Sequence, residues 1–276
     1  MSTATAATAA TAVTAVTAVT AVTTNSAGRL RALARAELTL IGRSKGVLFT
    51  AMFVPLVLPF SVSASATEER LKGTGLSTGT VVLSSAIGFS LLFAVYSSLV
   101  SVYASRREEL VLKRLRTGEL RDTEILAGAA LPAVVLGLTQ VVVLAVACTV
   151  LLDTGAPKAP QLALLGIVLA IPLCVALAAL TTVFSRSVES AQVAAMPLLL
   201  VTMLGSGTVV PLEVMPDTLA SVCELLPLTP VLSLVRGGWS GEMSGGDALQ
   251  ALVTAVAWLV FAVFAVRRWF RWEPRR

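Results

Sequence analysis

The sequence predicts an all-α integral membrane protein with six transmembrane helices. Of its 276 residues, 56% are hydrophobic and only 13% are charged, whereas water-soluble domains are usually about half apolar or less. Six long apolar segments contain no Asp, Glu, Lys, Arg or His, and about 20 such residues are needed to cross roughly 30 Å of hydrocarbon. The predicted spans are residues 46–63, 80–103, 125–152, 162–184, 191–210 and 248–266.

The N-terminal 45 residues are predicted to lie outside the bilayer core. Residues 1–28 are rich in Ala, Thr and Val, repeat the triplet TAV and contain no charged side chain, which indicates a flexible low-complexity tail. Residues 29–45 place Leu and Ile on one helical face and arginines on the other, which predicts an amphipathic helix held at the interface by apolar burial and anionic lipid. Its candidate functional residues are Arg31, Arg35 and Glu37. Glu37 falls in the apolar arc, where it either snorkels to water or makes a polar contact with the membrane domain or a partner.

Lysine and arginine predict the orientation of the spans. Seventeen of the 21 fall before the first span, in the loop after the second, in the loop after the fourth and in the C-terminal tail. The remaining loops hold Arg70, Lys72, Lys158 and Arg236. Because basic residues collect on the cytoplasmic side, both termini of this cell-membrane protein are predicted to be cytoplasmic. Residues 46–268 then form one six-span domain, and residues 269–276 form a basic cytoplasmic tail.

The loop between the second and third predicted spans contains a dense cluster of charge. Eleven of the twenty residues from Ser105 to Glu124 are charged. On a helical wheel, residues 106–117 separate these charges from Val111 and Leu112, which predicts a short amphipathic helix ending near Gly118. Such a charged surface suits a soluble partner, and the alternative is a topological anchor partly neutralised by acids. The candidate contacts are Arg106, Arg107, Glu108, Glu109, Lys113, Arg114, Leu115 and Arg116.

The segment between the fifth and sixth predicted spans, residues 211–247, is predicted to lie on the outer side. Apolar residues recur at helical spacing from Leu219 to Leu226, with Asp217 as a start signal and Pro227 and Pro230 as stop signals. This pattern predicts a short amphipathic helix that docks at the outer interface or dips into it.

Several kinds of chemistry are excluded by residues that the chain lacks. It contains no histidine and no GxxxxGK[ST] phosphate loop, which argues against His-based catalysis and ATP binding by this chain. Its three cysteines lie on separate elements and are expected to be apolar fillers. The spans lack titratable relay groups, so the driving force is expected to come from another chain, although sodium coupling through carbonyls and hydroxyls stays open. The basic charge is attributed to membrane orientation, not to nucleic acid.

Serines in the second predicted span are the candidates for lining a transport path. Their alternative role is close contact between helices, which small residues commonly serve in membranes. The residues are Ser84, Ser85, Ser90, Ser97 and Ser98.

Two stretches of the sequence carry a resemblance to a known family. The first is Glu108-Glu109 followed by Leu112-Lys113-Arg114-Leu115-Arg116-Thr117-Gly118-Glu119-Leu120, and then a third span that begins Ile125-Leu126-Ala127-Gly128. The second is Val210-Pro211-Leu212-Glu213-Val214-Met215-Pro216, continued by Leu226-Pro227-Leu228-Thr229-Pro230 and Val235-Arg236. Both resemble the permeases of ABC type-2 transporters, especially bacterial drug and antibiotic exporters, and the resemblance covers residues 28–268 in topology and order. The family often has a small residue after the Glu pair, where this chain has Leu110-Val111.

The resemblance implies a function in which this chain is not the enzyme. The charged loop would be a coupling helix seated on a cytoplasmic ATP-binding-cassette ATPase, which would bind ATP and magnesium, while this chain binds no cofactor. Two permease copies, identical or related, would surround a central path. The substrate expected from a path without ionisable groups is hydrophobic or amphipathic: a drug, an antibiotic or a lipid-like molecule. The alternatives are a non-transporting membrane anchor or regulatory subunit and, third, an ion-coupled carrier.

Overall fold

The computed structural model describes residues 77–112, 121–209, 212 and 215–270. Within these ranges the regular structure is helical, without a strand. The first predicted span, the interfacial helix with Arg31, Arg35 and Glu37, and the loop residues Lys113, Arg114, Leu115 and Arg116 lie outside them. The helices are α1 (Thr78–Glu108), α2 (Asp122–Leu151), α3 (Pro160–Thr182), α4 (Val188–Gly205), α5 (Asp217–Glu224), α6 (Thr229–Ser240) and α7 (Gly245–Trp269).

Five of these helices are long and apolar enough to cross a membrane: α1, α2, α3, α4 and α7. They coincide with the five predicted spans that fall in the described residues, with bounds that differ by up to five residues at either end. The all-helical membrane fold is therefore confirmed. A sixth candidate is the pair α5 and α6, which is bent by 104° at the break between the two helices.

Helix α1 is the central helix of the described bundle. In its most apolar stretch 89% of the residues are buried, against 22–50% for the other four long helices. It packs against α2, α3, α4 and α6. Its middle part, Ser90–Ser97, is π-helical, a local widening that often occurs at functional positions of a helix.

Helix α6 packs inside the bundle because two glycines allow its backbone to approach α3. A Cβ atom built on Gly166 of α3 would lie 2.7 Å from the carbonyl oxygen of Val231, and one on Gly238 of α6 would lie 2.5 Å from the backbone nitrogen of Ala163. No side chain fits at either position. Ten of the twelve residues of α6 are buried.

The segment before the last span therefore differs from its sequence prediction. The short helix expected near Leu219–Leu226 is present as α5, but a second helix follows it. Pro230 does not stop a helix, because it occupies the first turn of α6, where proline has no helical hydrogen bond to lose. The indole nitrogen of Trp258 donates to the carbonyl oxygen of Leu225 (2.8 Å). Trp258 lies thirteen residues into α7, about 20 Å along that helix, so α5 and α6 form a hairpin that lies beside the apolar part of α7.

The charged loop also departs from its prediction. Helix α1 continues through Arg106 and Arg107 to Glu108, so these residues form its last turn, and Leu110 has a positive φ of 59°. A positive φ at a non-glycine residue interrupts helical geometry. The helix expected over residues 106–117 is therefore not continuous, and the wheel that placed Arg106 and Lys113 on one face does not apply across Leu110. Val111 and Leu112 are helical again after the break.

Candidate functional site: the charged end of the helix bundle

The five long helices bring their charged loops to one end of the bundle. We use "charged end" for the last turns of α1, α3 and α7 together with the first turns of α2 and α4. It contains Arg106, Arg107, Glu108, Glu109, Arg121, Asp122, Glu124, Arg186, Glu189, Arg267 and Arg268. Both signs of charge are interspersed across this end, so it presents a mixed surface to any partner.

Arg107 is buried although it belongs to the charged loop. Its side chain is 1% exposed and enters the turn between α3 and α4. Nη1 donates to the carbonyl oxygen of Thr182 (2.5 Å), and Nη2 donates to the carbonyl oxygen and to Oγ of Ser185 (2.8 and 2.9 Å). Charge-assisted bonds of this kind are shorter and stronger than neutral ones. In this structure Arg107 joins two parts of the chain and offers no surface to a partner.

Glu108, the next residue, binds the same turn from the outside. Its carboxylate Oε1 accepts a hydrogen bond from the backbone nitrogen of Val188 (2.8 Å), the first residue of α4. N-terminal N–H groups of a helix have no partner within the helix, so Glu108 and the N-cap residue Ser187 together satisfy this helix start.

The remaining residues of the charged loop that the structure describes lie partly at the surface and partly in the interior. Glu109 is exposed and accepts from the Ser105 hydroxyl (3.3 Å), while Arg106 is half-buried. Leu112, which the wheel placed on the apolar side, is fully buried. The structure thus brings Arg106, Glu108 and Glu109 to the surface of the charged end and separates Arg107 from them.

The α3–α4 turn was missed by the analysis of the sequence. Thr182, Ser185 and Val188 contribute backbone groups to the binding of Arg107 and Glu108. The available signal was the polar run Ser185-Arg186-Ser187 between two apolar segments. That run predicts a turn and a helix cap, but it does not indicate which distant side chain binds there.

The serines of α1 make contacts within this chain. Ser84, Ser85 and Ser90 are buried. The hydroxyl of Ser84 donates to Thr80 of its own helix, that of Ser90 donates to Oε1 of Gln140 on α2 (2.8 Å), and that of Ser97 donates to Gln192 on α4 (3.4 Å). Ser97 and Ser98 are half-buried. A path lined by these residues stays a prediction, and Gln140 and Gln192 join them as polar groups between helices.

Ser90→Ala is expected to lower the stability of the protein by about 0.5–1.5 kcal/mol, the usual net value of one hydrogen bond. The substitution removes the donor to Gln140 on another helix. Ser84→Ala is the matched control, because its hydroxyl bonds only its own helix. Thermal unfolding of both variants in detergent measures the difference, and equal midpoints would contradict a stabilising role of the α1–α2 contact.

A cavity of about 530 Å³ lies at the opposite end, between α5, α6 and α7. Its lining includes the carboxylates of Asp217, Glu224, Glu242 and Asp247 and the guanidinium of Arg236. Arg236, which the sequence placed in an outer loop, is 5% exposed and donates to the carbonyl oxygen of Gly207 (3.2 Å). It is thus a buried link between the end of α4 and α6.

The described residues provide no metal centre. They contain no group of three or more His, Cys, Asp or Glu side chains placed to hold an ion. Cys148, Cys174 and Cys223 are buried free thiols, as expected of apolar fillers.

These features define a class of protein: a multi-pass helical membrane domain with a charged end and a helical hairpin before its last span. Residues 28–239 match the family model of ABC-2 type transporters. The match covers most of the chain, and the protein belongs to this family. Comparison with curated proteins found no match.

Membership assigns the chain its part in a larger assembly. ABC-2 membrane domains lack the ATPase and pair with ATPase subunits, so ATP hydrolysis takes place on a partner. The expectation that this chain is a membrane permease and not an enzyme is therefore confirmed.

Proposed function

We propose that the chain is the permease subunit of an exporter that moves a hydrophobic or amphipathic molecule, such as a drug, an antibiotic or a lipid-like compound, across the cell membrane. Both termini and the charged end face the cytoplasm, where the ATPase binds ATP and magnesium. The distribution of Lys and Arg supports this orientation. The resemblance to drug exporters supports the direction of transport and the pairing of two permease copies.

The observation that carries the proposal is the surface of the charged end. Glu109 is exposed where α1 ends, and it is followed directly by the break at Leu110. The chain after this break is the charged stretch that resembles a coupling helix. A soluble ATPase can reach this surface, whereas the predicted spans contain no carboxylate or histidine that could couple transport to protons.

Replacing both Glu109 and Arg114 by Ala is expected to abolish binding of the cognate ATPase to the permease. The double substitution removes one charge of each sign from the proposed contact without changing the net charge. Co-purification of the ATPase and its stimulation by the permease measure the effect.

The matched control is the double variant Lys158→Ala with Glu242→Ala. Both side chains are exposed at the opposite end of the bundle, and the pair also leaves the net charge unchanged. It is expected to bind the ATPase like the wild type. Binding of the Glu109 and Arg114 variant at the wild-type level would remove the support for this coupling surface.

Transport by reconstituted permease and ATPase separates the three functional alternatives. ATP is added to the medium of inside-out vesicles, in which the cytoplasmic face of the permease points outward. The accumulation of ethidium, an amphipathic cation, and of a neutral lipophilic dye inside the vesicles is then measured. ATP-dependent accumulation supports an exporter. ATPase binding without transport of either dye favours the anchor or regulatory subunit, and uptake driven by a sodium gradient without ATPase favours the carrier.

A further inference from the structure

Two adjacent side chains of opposite charge bind the two helix ends of the α3–α4 turn. Arg107 contacts the carbonyl oxygens of Thr182, the last residue of α3, and of Ser185. Glu108 contacts the N–H of Val188, the first residue of α4. The pair therefore contacts both ends of residues 182–188, at Thr182 and Ser185 on one side and at Val188 on the other.

The signs of the two charges match the helix ends that they contact. The C-terminal carbonyls of a helix carry partial negative charge, and its N-terminal N–H groups carry partial positive charge. The guanidinium of Arg107 lies at the carbonyl end of α3, and the carboxylate of Glu108 lies at the N–H end of α4. The reverse order of the two residues would place like charges at both ends.

The two side chains differ in burial. Arg107 is enclosed at 1% exposure, so its bonds are shielded from competing water, whereas Glu108 is exposed. A fully buried guanidinium with three bonds to one turn fixes the position of that turn against α1. The hydroxyl of Tyr103, one turn earlier in α1, donates to the carbonyl oxygen of Leu126 (3.0 Å) and fixes α2 against α1.

These contacts lie directly before the surface proposed to bind the ATPase. We propose that Arg107 and Glu108 are positioning residues that carry the movement of the ATPase-bound loop into α3 and α4. The inference rests on the proposed function. When the ATPase pushes on the loop after Leu110, the end of α1 moves together with the end of α3 and the start of α4. Without the hydrogen bonds of Arg107 and Glu108, the loop would move without α3 and α4.

Hydrogen–deuterium exchange of the permease–ATPase complex in lipid nanodiscs tests this inference. Exchange is compared without nucleotide and with the ATPase trapped by ATP and vanadate, in the peptides that cover residues 105–112 and 183–190. In the wild type both peptides are expected to change with nucleotide. In Arg107→Gln the change at 105–112 is expected to remain and the change at 183–190 is expected to be lost.

Three further variants separate positioning from simple stabilisation. Glu108→Gln keeps the buried arginine and is expected to lose part of the nucleotide-dependent change at 183–190, and Arg107→Lys, which keeps the charge without the planar fork, is expected to restore part of it. Lys158→Gln removes the same charge from an exposed position at the opposite end of the bundle and is expected to behave like the wild type. A merely structural role would raise exchange at 183–190 in both nucleotide states and leave the difference between them intact.

Two results would overturn the inference. One is a wild-type complex in which residues 105–112 respond to nucleotide and residues 183–190 do not. The other is an Arg107→Gln complex that keeps the full response of residues 183–190. If the wild-type ATPase produces no change at residues 105–112, the proposed function itself is contradicted, and the inference is rejected with it.

Discussion

Gly238→Leu is expected to separate α6 from α3. It is expected to lower the free energy of unfolding by about 1–3 kcal/mol, the usual cost of overpacking a close contact. The Cβ atom alone would lie 2.5 Å from the backbone nitrogen of Ala163 and 2.9 Å from its Cα. Backbone atoms of two packed helices cannot move aside independently. Thermal unfolding of the purified protein in detergent measures the loss.

Gly245→Leu is the matched control for this substitution. Gly245 is the first residue of α7, and a Cβ atom built there meets nothing within 4 Å. The same side chain is therefore expected to change the unfolding midpoint very little. Equal midpoints for the two leucine variants would contradict the tight α3–α6 contact.

Arg236→Gln is expected to lower stability by about 1.5–3 kcal/mol, the range for a hydrogen bond that involves a charged group. The arginine links α6 to the carbonyl of Gly207, where the chain turns after α4 with a positive φ of 73°. Glutamine is too short to make the same link. It would also remove the positive charge from a cavity that is lined by carboxylates, so two effects act in the same direction.

Lys158→Gln is the corresponding control, because it removes the same charge from an exposed position at the same end. Thermal unfolding and limited proteolysis of the segment between α4 and α5 compare the two variants. If Arg236→Gln unfolds and is cleaved like Lys158→Gln, then Arg236 does not hold the hairpin in place.

The positions of the spans could be predicted because hydropathy is a local property. An apolar run such as residues 162–184 is too long for a loop and too apolar for water, whatever lies beside it. The structure accordingly places α3 within two residues of that run at either end. The charge cluster after the second span and the family resemblance were local signals of the same kind.

Pro230 shows where a local signal was misleading. A proline can end the helix before it or occupy the first turn of the helix after it. The packing of α6 decides which of these two roles Pro230 has. That packing depends on Gly166 and Gly238, which are 72 positions apart in the chain and look ordinary one by one. The composition of residues 229–240 was misleading in the same way. An arginine and two glycines made this segment too polar to resemble a span, so it was predicted to lie in an outer loop.

The sequence by itself determined the membrane class, the positions of the spans and the charged end, because each follows from side chains that are neighbours in the chain. The tertiary structure alone decided which charges of that end are surface and which are structural. Arg106 and Arg107 are adjacent and chemically identical, yet Arg106 is half-buried whereas Arg107 is enclosed and binds carbonyl groups 75 and 78 residues away. A buried charge requires such partners, and distant partners are visible only once the helices have packed.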